Sequence, residues 1–397
     1  MEFIEPEQQL EIIKNNVEEI IPENELLNKL KSSFESKTPL NIKAGFDPTS
    51  ADLHLGHTLL IKKLKVFQDL GHNICFLIGD FTAKIGDPTG RDKTRPPLNN
   101  EIIKENSETY ENQLFKILNK NNVQIFYNSN WFDDFDLVKL INLSSMENVA
   151  RLLERDDFKK RYQSGDSITL TEFIYPLLQA YDSVVLDSDI ELGGTDQRFN
   201  ILLGRQIQKA FQKDQQVALF LPILEGLDGK LKMSKSYKNY IGINEEPKEI
   251  FGKIMSISDE LMERYIQTLY RDSMDEFESY QNPLEKKKFL AIKLITEYHT
   301  QELAFSAKKD FEEKFSKKSF PDDIPVLKIE SESKTFIELI EEFTERSFSR
   351  SEIKRLIKDN AIQINNVKEL TLQFVPEKNV EYKIKIGKRN FYKVEFV

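Results

Sequence analysis

The sequence predicts an α/β fold, followed by a helical region and a small α+β tail. Three observations predict it. Short apolar runs alternate with amphipathic helical stretches between residues 7 and 128. Strand-like runs are then missing from 247 to 315, where the pattern is helical throughout. A polar, Pro-containing stretch at 316–334 precedes a last segment in which helix and strand patterns resume. Alternation of the first kind argues for a parallel sheet with helices on both faces. Sheets of that kind bind ligands at the carboxyl ends of their strands.

The elements follow in order. Residues 7–34 have helical periodicity, and LNIKAGF (40–46) reads as a buried strand. An apolar helix pattern covers 55–69, and NICFLIG (73–79) is a second strand. A further helix pattern spans roughly 100–119, with VQIFYN (123–128) as the third strand. From about 145 to 211 the pattern is mainly helical, interrupted by VVLDSDIELGGTD. The strand candidate QVALFLP then leads into the basic loop GLDGKLKMSKS. No internal repeat and no low-complexity tract is present.

Composition excludes several classes. The lone cysteine, Cys75, lies in a strand-like run and forms no internal disulfide, which points to a reducing compartment. The acidic start MEFIEPEQQLEII lacks a basic n-region and a long apolar stretch. A soluble cytoplasmic protein without a signal peptide or membrane span is therefore expected. The net charge of −10 argues against indiscriminate coating of nucleic acid. From Thr335 onward, however, 12 Lys+Arg face 10 Asp+Glu, so any RNA contact must come from local patches.

Two of the four histidines, His54 and His57, fall within LHLGH at the entry of the second predicted helix. Unpaired N–H groups and the dipole at a helix start favour an anion, and two imidazoles there can donate to a phosphate. Gly56 between them leaves room for a flat base. A zinc site needs more ligands than His72, His299 and Cys75 readily supply; a simple capping pair is the plainer alternative. LKMSKS (231–236) places Lys232 and Lys235 on a loop that can close over a triphosphate. Tyr175, Gln179 and Asp182 stand at i, i+4 and i+7 in TEFIYPLLQAYDSVVL, too apolar a stretch for a free surface helix. Lys43 and Asp80, at the ends of neighbouring strand candidates, are expected to pair as a charged floor beside them.

Together HLGH and KMSKS resemble the two signatures of the class I aminoacyl-tRNA synthetases. GFDPTSADLHLGH (45–57), IGDPTGRDKTR (85–95), YPLLQAYD (175–182) and GGTDQ (193–197) resemble the tyrosyl-tRNA synthetases in particular, and the likeness runs through the tail. It implies a Rossmann-like catalytic domain with N-terminal helices and a connective insertion over 1–239. A helical anticodon-region domain over 240–315, a linker over 316–334 and a small RNA-binding module over 335–397 would follow. The reaction implied joins tyrosine to the 3′ end of tRNA(Tyr) through tyrosyl-adenylate, with ATP, accompanied by Mg²⁺, as substrate and no metal site of the protein's own. A homodimer is implied as well.

Carried over by motif, Thr49, His54 and His57 would meet the ATP phosphates, and Lys232, Lys235 and Ser236 would close on the β- and γ-phosphates. Arg91 and Arg95 stand where the family keeps two basic residues; the first is commonly lysine, whose point charge a guanidinium does not copy. Asp47 and Asp87, with Tyr175 and Gln179, would hold the amino group of tyrosine, and Asp182 its phenol. Gly45, Gly56, Gly193, Asp196 and Met233 would line the adenylate, with Gln197 near the substrate carboxyl group. Lys43, where many members have tyrosine, and Arg198, where many have tryptophan, depart from the commonest pattern. In the tail, Arg350, Lys354 and Lys358 share one side of a helix at about 349–359, opposite Ile353, Leu356 and Ile357, and would follow RNA phosphates. A tryptophanyl-tRNA synthetase shares fold and signatures, but Asp182 and the tail favour tyrosine. A silent paralogue that only binds RNA is the remaining alternative, and the intact HLGH and KMSKS argue against it.

Overall fold

The computed structural model describes residues 3–88, 99–316, 324–330, 334–359, 361–365, 375–378, 380–387 and 390–397. It divides into two compact units, 1–308 and 309–397.

The first unit is built on a six-stranded sheet: β1 (Glu19–Ile21), β2 (Asn41–Phe46), β3 (Asn73–Ile78), β4 (Val123–Tyr127), β5 (Ile190–Gly194) and β6 (Val217–Leu221), in the order β1-β6-β5-β2-β3-β4. Only the edge strand β1 is antiparallel to its neighbour. The remaining five are parallel, so each return must cross a face of the sheet. Chain order runs one way from β2 through β3 to β4, and the other way through β5 and β6. The crevice beyond β2 and β5 is thus the topological switch point, where such sheets bind ligands.

The helix Leu55–Asp69 buries Leu55, Leu59, Ile61, Leu64 and Phe67 along one stripe. Its buried Lys63 donates to the carbonyls of Ile13 and Asn15 at the end of the first helix, Pro6–Lys14. The stretch 7–34, read as helical, is in fact two helices separated by β1: the first ends at Lys14, Asn16 takes a left-handed φ of 58°, and the chain at 19–21 pairs with β6. Strand β5 lies inside the interruption VVLDSDIELGGTD and is buried over most of its length. Helices Pro247–Ser256, Asp259–Leu269 and Pro283–Tyr298 make up most of the region after the KMSKS loop. No helix among the described residues is long and apolar enough to cross a membrane.

The second unit holds a four-stranded sheet, β7 (Val326–Ile329), β8 (Ile362–Ile364), β9 (Val380–Ile386) and β10 (Asn390–Phe396), ordered β7-β10-β9-β8. Helices Phe336–Phe343 and Arg350–Lys358 pack on it through Leu339, Ile340, Ile353 and Ile357. β7 falls within the stretch read as a linker. Its parallel pairing with β10 and the packing of Leu327 and Ile329 on this core make it part of the module. Lys354 and Lys358 are exposed, whereas Arg350 lies against Glu341 (2.9 Å) and Glu338 (3.4 Å) on the preceding helix.

Candidate active site

A cavity of about 610 Å³ opens at the switch point. Its walls come from the ends of β2, β3, β5 and β6, the start of the Leu55–Asp69 helix, the Leu170–Val185 helix and the KMSKS loop. Gly45, Asp47, Thr49, His54, Gly56, His57, Asp87, Tyr175, Gln179, Asp182, Gly193, Asp196, Gln197, Lys232, Met233, Lys235 and Ser236 all line it. Seventeen positions scattered over nearly 200 residues thus converge on one volume. Arg91 and Arg95 lie outside the described residues.

His54 is the N-cap of its helix and His57 occupies the third helical position. Their rings stack with centroids 3.7 Å apart and planes 20° from parallel. The backbone N–H of His54 donates to Nδ1 of His57 (3.2 Å), which leaves the proton of the neutral ring on Nε2. Burial, then the charges of Lys235 and Lys232, push His57 down to about 3. Burial and the neighbouring His57 hold His54 well below the ordinary histidine value as well. Both rings are therefore neutral hydrogen-bonding groups at physiological pH, not fixed cations. A Cβ on Gly56 would sit 3.0 Å from the His54 ring, so the glycine is what allows this ring to lie back over the helix start.

The KMSKS loop is anchored at both ends. Met233 N–H donates to the Leu224 carbonyl (2.8 Å), and Asn239 accepts from Ser234 N–H (2.8 Å) while donating to Asp228 (2.6 Å). Past the loop the chain pairs with the histidine segment: Leu55 N–H donates to Ile241 O, and Ile243 N–H to Leu53 O, each at 3.0 Å. Lys232 reaches across to Asp196 (2.8 Å), and Lys235 donates to the Asp52 carbonyl. Asn239, absent from the sequence reading, is the residue that shapes the loop.

The deeper wall is acidic and polar. Tyr175 donates to Asp47 (3.0 Å), as does Thr82 (2.8 Å), and Gln197 donates to Asp87 (2.9 Å). Asp182 is buried and accepts from Trp131 Nε1 (3.0 Å) and Asn128 (3.4 Å). Burial raises its carboxyl to about 7, against the pull of Lys43. The expected Lys43–Asp80 pair does not form. Lys43 Nζ instead meets Glu191 (2.9 Å), Ser183 Oγ (2.7 Å) and the Gln179 carbonyl (3.1 Å). Asp80 caps the turn at Ser129, accepting from its N–H (2.9 Å) and hydroxyl (2.6 Å). Arg198 points away to Glu19 (3.0 Å) on β1. Chemically, the cavity offers neutral donors and lysines at one end and carboxylates with a phenol at the other.

That division suits a phosphate-bearing ligand beside an ammonium-bearing one. The model of the tRNA synthetases class I (W and Y) family matches residues 35–320. The tyrosine–tRNA ligase of Aquifex aeolicus is 47% identical over 98% of this chain and 99% of its own. That of Thermotoga maritima is 44% identical over 98% of each. The chain belongs to the tyrosine–tRNA ligase family of class I synthetases. Solved tyrosyl-tRNA synthetases share the fold at lower identity. The one from Aeropyrum pernix superposes with a TM-score of 0.62 at 20% identity, over 79% of this chain and all of that one. The one from Archaeoglobus fulgidus, complexed with L-tyrosine, gives 0.61 at 24%, over 77% and 99%. For a class I synthetase the switch-point cavity is the expected place for chemistry, and the two signature segments are hydrogen-bonded together at its mouth.

Proposed function

We propose that this ligase activates L-tyrosine with ATP in the switch-point cavity and transfers the tyrosyl group to the 3′ end of tRNA(Tyr). The observation that carries the reading is the convergence of both signature segments and the carboxylate-rich wall on that one volume. In the first step the tyrosine carboxylate attacks the α-phosphorus and pyrophosphate leaves. In the second, a hydroxyl of the terminal ribose attacks the adenylate carbonyl carbon and AMP leaves. No enzyme nucleophile is needed, so positioning and charge stabilisation supply the rate.

His57 would donate from Nε2 to the ATP phosphates, with His54 and Thr49 beside it. Lys232, Lys235 and Ser236 would follow the departing pyrophosphate, together with Arg91 and Arg95. Asp196 would exchange its lysine partner for a ribose hydroxyl. Gly45 suits close approach of a ligand, since a Cβ there would meet only Leu77, at an ordinary 3.8 Å. Asp47, Asp87 and Tyr175 would surround the substrate ammonium, which needs both charge and acceptors once desolvated. Asp182 would accept the phenol proton, and Mg²⁺ would enter with ATP.

The exposed face of the Leu137–Ser144 helix, with Leu137 70%, Val138 66% and Ile141 58% accessible, supports a homodimer that covers it. Lys354 and Lys358 support an RNA contact by the second unit, and the cytoplasm is the compartment proposed. Exchange of labelled pyrophosphate into ATP, run with tyrosine, tryptophan and phenylalanine, tests the reading. Tyrosine-dependent exchange is expected, and exchange driven by tryptophan alone would overturn it.

A further inference from the structure

Behind the carboxylate wall lies a polar chain whose two buried members, Arg155 and Asn200, fall outside every motif named above. Arg155, at the start of the Asp156–Ser164 helix, is only 7% accessible. Its guanidinium bonds to Asp157 (Nε to Oδ1, 2.7 Å), lies over the Phe158 ring at 4.4 Å, and donates from Nη1 to Asn200 Oδ1 (3.1 Å). Asn200, 1% accessible on the Arg198–Ala210 helix, donates from Nδ2 to Gln179 Oε1 (2.9 Å) and to Gln197 Oε1 (3.1 Å). Gln197 in turn donates from Nε2 to Asp87 Oδ2 (2.9 Å).

We propose that Arg155 and Asn200 are positioning residues for the amino end of the amino-acid substrate, fixing the direction in which Gln179 and Gln197 present their amides. The inference rests on the function proposed above, which places Asp87 at the substrate ammonium, and on the role beside it that the family resemblance implies for Gln179.

A primary amide can turn either end to a neighbour, so a row of amides alone has no preferred direction. A guanidinium has donors only. The atom of Asn200 that faces Arg155 must therefore be its carbonyl oxygen, which directs its N–H₂ toward the two glutamines. Both glutamines must then turn their carbonyls to Asn200, and Gln197 has its N–H₂ left for Asp87. Reversal at Asn200 or Gln197 would bring the Gln197 carbonyl against the Asp87 carboxylate, two acceptors in a part-buried setting where an unmade hydrogen bond is costly. Arg155 thus sets the polarity of a site it does not touch. Its own place is secured by Asp157, which neutralises the buried charge.

The test uses the full-length chain and four measurements: KM for L-tyrosine, KM for ATP, kcat in pyrophosphate exchange, and inhibition by 3-(4-hydroxyphenyl)propionate, which is tyrosine without its amino group. Asn200→Asp is nearly isosteric and still accepts from Arg155, but it cannot donate to the glutamines. Arg155→Gln offers an end of either polarity, whereas Arg155→Lys keeps a donor-only group. Asn200→Asp and Arg155→Gln are expected to raise the KM for tyrosine about tenfold, the size of one misdirected buried hydrogen bond. The KM for ATP and the inhibition constant of the analogue should stay unchanged, and Arg155→Lys should restore most of the tyrosine affinity. A merely structural pair would weaken tyrosine and its desamino analogue together. That result overturns the proposal, as does an unchanged KM for tyrosine or an Arg155→Lys variant no better than Arg155→Gln. If Asn200→Asp does not fold, the comparison of the two Arg155 variants decides alone. Absence of tyrosine-dependent exchange in the unaltered chain would overturn the function and the relay together. Normal exchange with unmoved variants would sink the relay alone.

Discussion

Lys43 and Glu191 stand opposite each other in the register of β2 and β5, and their side chains form an ion pair of 2.9 Å that solvent barely touches. Ser183 bonds to both partners, and Gln216 also donates to Glu191. Lys43 lines the cavity, and its ammonium lies between β5 and the Leu170–Val185 helix, with Gln179 O as a further acceptor. A buried charge pair this well satisfied fixes the strand register, because slipping by one residue would strand both charges.

Lys43→Met should accordingly destabilise the chain by about 3–5 kcal/mol, the usual cost of leaving one buried partner alone. Adding Glu191→Gln should recover part of that loss, whereas adding Asp80→Asn should not. Urea unfolding of the single and double variants measures both couplings. An additive Lys43–Glu191 cycle would show that the pair contributes no mutual stabilisation.

Much of this was legible in the residues, and the misses have physical reasons. Strands β2, β3 and β4 announce themselves as apolar runs with turn signals, and LHLGH marks its helix start. β5 does not: VVLDSDIELGGTD carries acidic residues and two glycines, which lower strand propensity, and only burial between β2 and β6 makes it a strand. With β5 unread, the neighbouring strand end available to Lys43 is that of β3, and Asp80 is the carboxylate there. Asn200 and Asn239 were missed for a related reason. Their work is done by hydrogen bonds to residues on other elements, and no periodicity reports that.

Removing a histidine at the helix start should slow activation without loosening tyrosine. His54→Ala or His57→Ala is expected to lower the activation rate by roughly 10²–10³, the cost of one donor to a developing charge. Because both rings stay neutral far below physiological pH, the rate should show no titration from these histidines between pH 6 and 8. Pre-steady-state adenylate formation against tyrosine concentration separates the two effects. Loss of tyrosine affinity with an unchanged rate would refute the assignment.

His72 predicts a weakening of the fold on the acid side. It is buried, with Nε2 against Gln9 Oε1 (3.0 Å) and Nδ1 accepting from Leu40 N–H (3.3 Å), and burial lowers its pKa to about 4. The unfolded chain therefore binds this proton more readily than the folded one between about pH 6.5 and 4. Stability is full above that window and falls as pH drops through it, by up to about 3 kcal/mol. Urea midpoints at pH 7.5 and 5 should differ less in His72→Asn than in the unaltered chain. An identical pH dependence in the two would exclude His72 as the source.

Asp182 has the opposite sign. With its carboxyl raised to about 7, the folded chain keeps the proton that the unfolded chain has lost, so the residue opposes folding increasingly from about pH 4 to 7 and constantly above. Asp182→Asn should stabilise the chain by on the order of 2 kcal/mol at pH 8, and by little at pH 4. The same change should erode the preference for tyrosine over phenylalanine, which the carboxylate would enforce as the proposed phenol acceptor. In the unaltered enzyme, that preference in kcat/KM should grow as pH rises through 7. A preference that survives Asp182→Asn would remove the phenol assignment.

The position of β7 dictates how the second unit must be removed. A chain cut at 334 would retain Val326–Ile329 without β10, exposing Leu327 and Ile329, which pack on the core of the module. Such an edge strand invites pairing with other chains. Deletion of 317–397 takes the whole sheet and leaves the entire cavity in place, since every lining residue lies at or before Tyr237. That truncation should keep tyrosine-dependent pyrophosphate exchange near the full-length rate while charging of tRNA falls. The truncation at 334 should show the same catalytic pattern but aggregate, which light scattering would report. Lys354→Glu with Lys358→Glu in the full chain should weaken charging alone, and should flatten its dependence on salt because two phosphate contacts are lost. Charging that is insensitive to both lysines, with an unchanged salt slope, would mean that RNA does not follow this helix.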